Sequence, residues 1–182
     1  MIRRYAGIDS GSRKAGLTLL EHEPGEPLRL TYMNHIRMDL AGWEDTHERD
    51  RFHYLFTTLR LDLGMLEPDL VIVEHIRVRG GGRNLDTYLL SARGQQTAEL
   101  AALDNNIPVV SLMANQVRSR LDIKGKGRDA QKKATMAKMN GIFEDAITEQ
   151  GYFPLAGVKE DIGDSTALAM MGPFEAKRLG LL

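Results

Sequence analysis

The sequence contains no cysteine, which excludes a disulfide framework and any zinc site built on thiolates. No apolar run approaches the roughly 20 residues that a membrane-spanning helix needs. Met1-Ile2-Arg3-Arg4 leads into no apolar stretch of the signal-peptide kind. These absences predict an intracellular, cytoplasmic protein with no membrane partner. No internal repeat and no low-complexity linker divides the chain. Its 182 residues suffice for one domain with a full core and hardly for two. We therefore read 1–182 as a single domain, with 172–182 as a C-terminal extension.

The net charge of −1 hides an asymmetry. Between Ile76 and Lys138 there are 12 Lys/Arg against 5 Asp/Glu, and the rest of the chain is correspondingly acidic. A basic middle between acidic ends fits one face that meets an anionic ligand. Solvated helix faces would give the same count.

Apolar patterning predicts the order β-β-β-α-β-α-β-α-α-α. Tyr5–Asp9, Ala15–Glu21 and Leu28–Ile36 read as an antiparallel meander, with a break at Glu23-Pro24-Gly25-Glu26-Pro27. Phe52, Leu55, Phe56, Leu59 and Leu63 form one helical stripe within 44–66. Leu70-Val71-Ile72-Val73 is a continuous apolar run, as in a strand buried on both faces. Further helices are predicted over 85–105, 114–121, 130–150 and 161–171, with a short buried strand at 107–111. In the helix over 85–105, Leu85, Leu89, Ala92, Leu100 and Leu103 supply an apolar side, and small residues allow close packing. A hairpin followed by βαβ units gives an α/β fold: a five-stranded mixed sheet, its first three strands antiparallel, with helices on both faces.

Three acidic elements stand out. Asp9 ends the first strand, Glu74 ends the buried one, and Asp161 and Asp164 share one face at the start of the last long helix. Each has a plain structural explanation. An Asp after a strand caps a turn, and an Asp in a first helical turn answers the helix dipole. Glu74 is harder to explain, because a charge ending a buried strand is costly unless paired. Brought together at the sheet's C-terminal edge, these four carboxylates form a set of hard oxygen ligands suited to Mg²⁺ or Mn²⁺. Two such ions about 3.5–4 Å apart can activate water and stabilise a leaving oxygen in phosphodiester hydrolysis.

The residues carry a family pattern. Gly7-Ile8-Asp9-Ser10-Gly11-Ser12-Arg13, Val71-Ile72-Val73-Glu74 and Asp161-Ile162-Gly163-Asp164-Ser165-Thr166-Ala167-Leu168-Ala169 resemble the three acidic elements of the RuvC-type Holliday junction resolvases, in the RNase H-like (retroviral integrase) superfamily. Ser91-Ala92-Arg93-Gly94, Gln116-Val117-Arg118 and Ala130-Gln131-Lys132-Lys133 fall where that family has related segments. The resemblance spans about Tyr5 to Met171. It implies an RNase H-like fold and a crossover junction endodeoxyribonuclease. Asp9, Glu74, Asp161 and Asp164 would hold two Mg²⁺ or Mn²⁺ ions, and Lys132 would stand near the scissile phosphate. The implied substrate is four-way junction DNA, cut in pairs to leave 5′-phosphate and 3′-hydroxyl ends. The implied assembly is a homodimer through the helix over 85–105, since two symmetric cuts call for two symmetric sites.

Three departures from the family matter. Ser10 stands where proline is commoner. Arg118 replaces a lysine; it keeps the charge but cannot give up a proton, so it is assigned to phosphate contact. The stretch His75-Ile76-Arg77-Val78-Arg79 lacks the aromatic that the family uses to stack at the junction centre. Arg77, Arg79 and Arg83 around the triple glycine, with Arg118, Lys124, Lys126, Arg128 and Lys133, are the candidate contacts to the DNA backbone. Other readings remain: an RNase H-like nuclease acting on RNA–DNA hybrid or structured RNA, or a non-catalytic junction-binding module. An actin- or hexokinase-like ATPase also opens on a strand and an Asp-Gly turn, but it needs a duplicated domain and a far longer chain.

Overall fold

The computed structural model describes residues 1–38, 47–76, 85–152, 155 and 160–181. Within these, five strands form one sheet: β1 (Arg3–Ser10), β2 (Lys14–His22), β3 (Arg29–Arg37), β4 (Leu70–Glu74) and β5 (Val109–Leu112). Their order is β3-β2-β1-β4-β5. β1, β2 and β3 pair antiparallel, while β4 joins β1, and β5 joins β4, in parallel. The helices are α1 (Glu48–Leu66), α2 (Leu85–Asp104), α3 (Ala114–Arg120), α4 (Arg128–Glu149), α5 (Glu160–Ala169) and α6 (Gly172–Arg178). The sheet and helices expected from the sequence are therefore present. Among the described residues, no helix is long and apolar enough to cross a membrane.

Alternation along the strands divides the core in two. Ala6 and Ile8 of β1, Leu17 and Leu19 of β2, and Val71 and Val73 of β4 face α1 and α2. Tyr5, Leu20, Leu70 and Ile72 face α3 to α6. The same parity carries Asp9 and Glu74 onto the α5 side. Pairing then sets them side by side: Ile8 lies opposite Val73, and each acid is the next residue along. The register is fixed at the far end of the two strands. There Asp69 accepts from the Arg4 backbone N–H and from the Arg3 guanidinium, both at 2.8 Å, and its own N–H donates to the Arg4 carbonyl.

α5 lies unusually close to the sheet because β1 and β2 present glycines beneath it. A Cβ on Gly7 would fall 2.0 Å from the Ser165 carbonyl oxygen, and one on Gly16 would fall 2.2 Å from that of Asp161. Thr18, fully buried, adds a polar fastening, with its hydroxyl 2.8 Å from that of Ser165 and 3.1 Å from that of Thr166.

Two features go beyond the pattern read in the sequence. The leucines of α2 do not face the sheet. Its inner side is made of Gly94, Gln95, Thr97, Ala98, Ala101 and Ala102, while Leu85, Leu89, Leu100 and Leu103 are exposed. Small residues bring the helix axis close, and the large ones are left pointing outward. The C-terminal extension is helical and packed against the domain. α6 packs Gly172 against the Tyr5 ring and buries Ala176, and Glu175, almost fully enclosed, pairs with Arg120 of α3 and Arg178.

A methyl group at Gly16 has nowhere to go without lifting α5. Gly16→Ala is expected to cost about 2 kcal/mol or more, at the upper end of overpacking effects. A fall in the urea midpoint with unchanged slope would show it.

Candidate active site

The end of β1, the end of β4 and the first turn of α5 meet at one edge of the sheet. Asp9, Glu74 and Asp164 are half-buried there and Asp161 is buried. The Asp9 carboxyl is pushed well up, first by burial, then by the charges of Glu74 and Asp164, by a hydrogen bond with Glu74, and least by Asp161. Asp164 rises to about 6, again by burial first and the charge of Glu74 next, while Lys132 and Arg118 pull the other way. Such crowding is what a cation would relieve, and an all-carboxylate donor set suits a hard divalent ion.

Asp9 and Glu74 are neighbours through the β1–β4 register, and Glu74 and Asp164 line one cleft. Asp161 is turned aside: its Oδ2 lies 2.8 Å from Lys14 Nζ and 3.4 Å from His35 Nε2. Among the described residues, no three carboxylate or imidazole groups stand in ligand geometry around one point.

Cations ring the acids. Lys132 Nζ donates to Glu160 Oε2 at 2.7 Å. Burial works against its charge, but the bond to Glu160 and the charges of Asp164 and Glu160 outweigh it, so its ammonium is held above the usual range. Arg118 donates to Gln131 at 3.2 Å, and together with Glu74 and Asp164 it lines a small cleft between α3 and α5. Lys124, Lys126, Arg128 and Lys133 are exposed along the loop into α4 and its first turns; Lys124 pairs with Asp122 at 3.2 Å. Arg77, Arg79 and Arg83 lie outside the described residues.

Four residues around the site escaped the sequence reading. Lys14 and His35 flank Asp161, and Glu160 holds Lys132. Gln95 of α2 accepts from the Ile76 backbone N–H at 2.7 Å and donates to Glu99 at 2.7 Å, which ties down the chain just after Glu74. None has a local signal, since each partner is distant in the chain. Only Glu160, beside Asp161 in an acidic run, could have been suspected.

The raised carboxyls make a signed prediction for the metal-free protein. Between about pH 4.5 and 6.5 the folded chain holds protons that the unfolded chain has released, so stability falls as pH rises through that window. Glu21, Glu160 and Glu175, held below their usual range by their cationic partners, act only at lower pH. Melting temperatures in EDTA should therefore drop from pH 5 to pH 7, and Asp164→Asn should flatten the slope. A flat or rising profile in the unmutated chain would contradict the crowding.

Comparison with known proteins gives the family and the fold. The crossover junction endodeoxyribonuclease RuvC of Salinispora arenicola (strain CNS-205) is 26% identical over 141 residues, 78% of this chain and 77% of that protein. Thermus thermophilus RuvC in complex with a Holliday junction substrate shares the fold, with a TM-score of 0.70 at 18% identity, covering 98% of this chain and 96% of that one. A second Thermus thermophilus RuvC structure also gives 0.70, at 20% identity over 99% and 97% of the two chains. The family model described as crossover junction endodeoxyribonuclease RuvC matches residues 5–148, from the strand that carries Asp9 to the last turn of α4, and on that span the chain belongs to the RuvC family.

Proposed function

We propose that the protein resolves four-way DNA junctions by paired, metal-dependent hydrolysis, with Asp9, Glu74, Asp161 and Asp164 holding two Mg²⁺ or Mn²⁺ ions. The observation that carries this reading is the crowding of Asp9, Glu74 and Asp164 at the edge where β1, β4 and α5 meet. Ions bound there would supply an activated water and stabilise the oxygen that leaves phosphorus. The chain's own groups do the positioning. Arg118, fixed in charge and beside Asp164, suits a non-bridging phosphate oxygen. Lys132, kept protonated by Glu160, presents its Nζ as a cation to the charge that builds on the phosphate. Water oxygen bonds to phosphorus as the bond to the 3′ oxygen breaks. The 3′ oxygen takes up the proton that the attacking water releases, leaving a 3′-hydroxyl and a 5′-phosphate.

Lys124, Lys126, Arg128 and Lys133 extend the positive surface along α4, and with Arg77, Arg79 and Arg83 they are assigned to the phosphate backbone, which orients DNA without reading its sequence. The exposed leucine side of α2 supports a homodimer through this helix, because its inner side is already seated on the sheet. A C₂ pair would bring two sites to one junction. A cytoplasmic location is part of the same proposal, beside the DNA that the enzyme would process.

Purified protein with Mg²⁺ or Mn²⁺ should make paired nicks, sealable by a ligase, in a synthetic four-way junction and leave duplex of the same sequence mostly intact. Equal cutting of an RNA–DNA hybrid would favour the other nuclease reading. Asp9→Asn and Glu74→Gln should keep junction binding in a mobility-shift assay while losing cleavage by about 10³-fold, the equivalent of several kcal/mol of metal-assisted stabilisation. Binding without cleavage in the unmutated protein would instead mark a junction-binding module. Leu100→Glu with Leu103→Glu should give a monomer by light scattering, and a dimer that persists would refute the α2 interface.

A further inference from the structure

Lys14 opens β2 on the α5 side of the sheet, two residues before Gly16. Its Nζ lies 2.8 Å from Asp161 Oδ2, and His35, opposite Gly16 on β3, brings Nε2 to 3.4 Å of the same oxygen. Neither contact has hydrogen-bond geometry, so what holds the Asp161 carboxylate to Lys14 is charge. The backbone at Asp161 is pinned, because its carbonyl sits where a Cβ of residue 16 would be. The carboxylate can therefore change partners only by turning about its own side-chain bonds. Asp164, one turn along, already faces Glu74, Lys132 and Arg118, whereas Asp161 acts least on Asp9 of the three neighbouring acids.

We infer that Lys14 is a positioning residue: a resident counter-cation for Asp161 that competes with one of the two divalent ions for that carboxylate. The inference rests on the two-ion reading above. Ions would then bind unequally, one at Asp9, Glu74 and Asp164, the other only as Lys14 gives up Asp161. A half-exposed ammonium–carboxylate pair weakens the second ion by roughly fivefold.

The test is calorimetric titration of the full chain with Mn²⁺, free of DNA. The unmutated protein should show a tighter and a weaker class of site. Lys14→Met should tighten the weaker class roughly fivefold, and Lys14→Arg should leave both unchanged. In the Asp161→Asn background, Lys14→Met should have no effect on what still binds. A thermal readout accompanies it: in EDTA Lys14→Met should melt below the unmutated protein, and its gain on adding Mn²⁺ should be larger. An unchanged or weaker Mn²⁺ isotherm for Lys14→Met overturns the inference, as does the same tightening with Asp161 already removed. If the unmutated protein takes up no Mn²⁺, the two-ion reading falls and this inference with it.

Discussion

Repulsion among like charges is the constraint that the rest of this molecule answers. A parallel pairing puts two carboxylates on neighbouring strand ends, and a helix seated on the same edge adds two more. Left alone, such a group would hold protons or push the elements apart. Here the apolar seating is strong enough to prevent separation. Ile8, Val73 and Ile162 are fully buried, and glycines let α5 rest against the backbone of β1 and β2. Packing thus stabilises an arrangement that electrostatics opposes, and the opposition is what gives the site its appetite for cations.

Those cations come in two kinds. Side-chain ammonium and guanidinium groups already stand at the margin: Lys14 against Asp161, Lys132 against Glu160, and Arg118 near Asp164. They leave the centre, at Asp9 and Glu74, without a protein counter-charge in the pairs described. The ring is therefore graded, neutralised at its rim and acidic at its middle. That grading would favour a divalent ion at the middle and a polyanion such as DNA at the positive rim, as the proposed function requires.

Much of this was legible in the sequence, for reasons that can be named. The apolar run Leu70–Val73 could hardly be anything but an inner strand, and the helical stripe from Phe52 to Leu63 points to one side only. Glu74 was readable because a charge at the end of such a run has no easy structural excuse, whereas Asp9, Asp161 and Asp164 each have one and stood out only beside it. The side of α2 that meets the sheet was not readable from apolarity, because close approach selected alanine and glycine over leucine. The partners of the acids were hidden for a different reason. Lys14 and His35 meet Asp161 only once the hairpin and the last long helix have been stacked, and Gln95 meets Ile76 across an α2–β4 contact. No period in the chain encodes contacts of that range.

The seating of α6 has a consequence for the DNA-facing side. Glu175 grips Arg120, and two residues earlier on the same short helix stands Arg118, beside the cleft. α3 has only two turns and little intrinsic tendency to hold its own direction. The chain's last helix thus works as a tether on the back of α3, keeping the arginine at its front trained on the phosphate it is proposed to meet. Aim, as much as charge, is what the tail contributes.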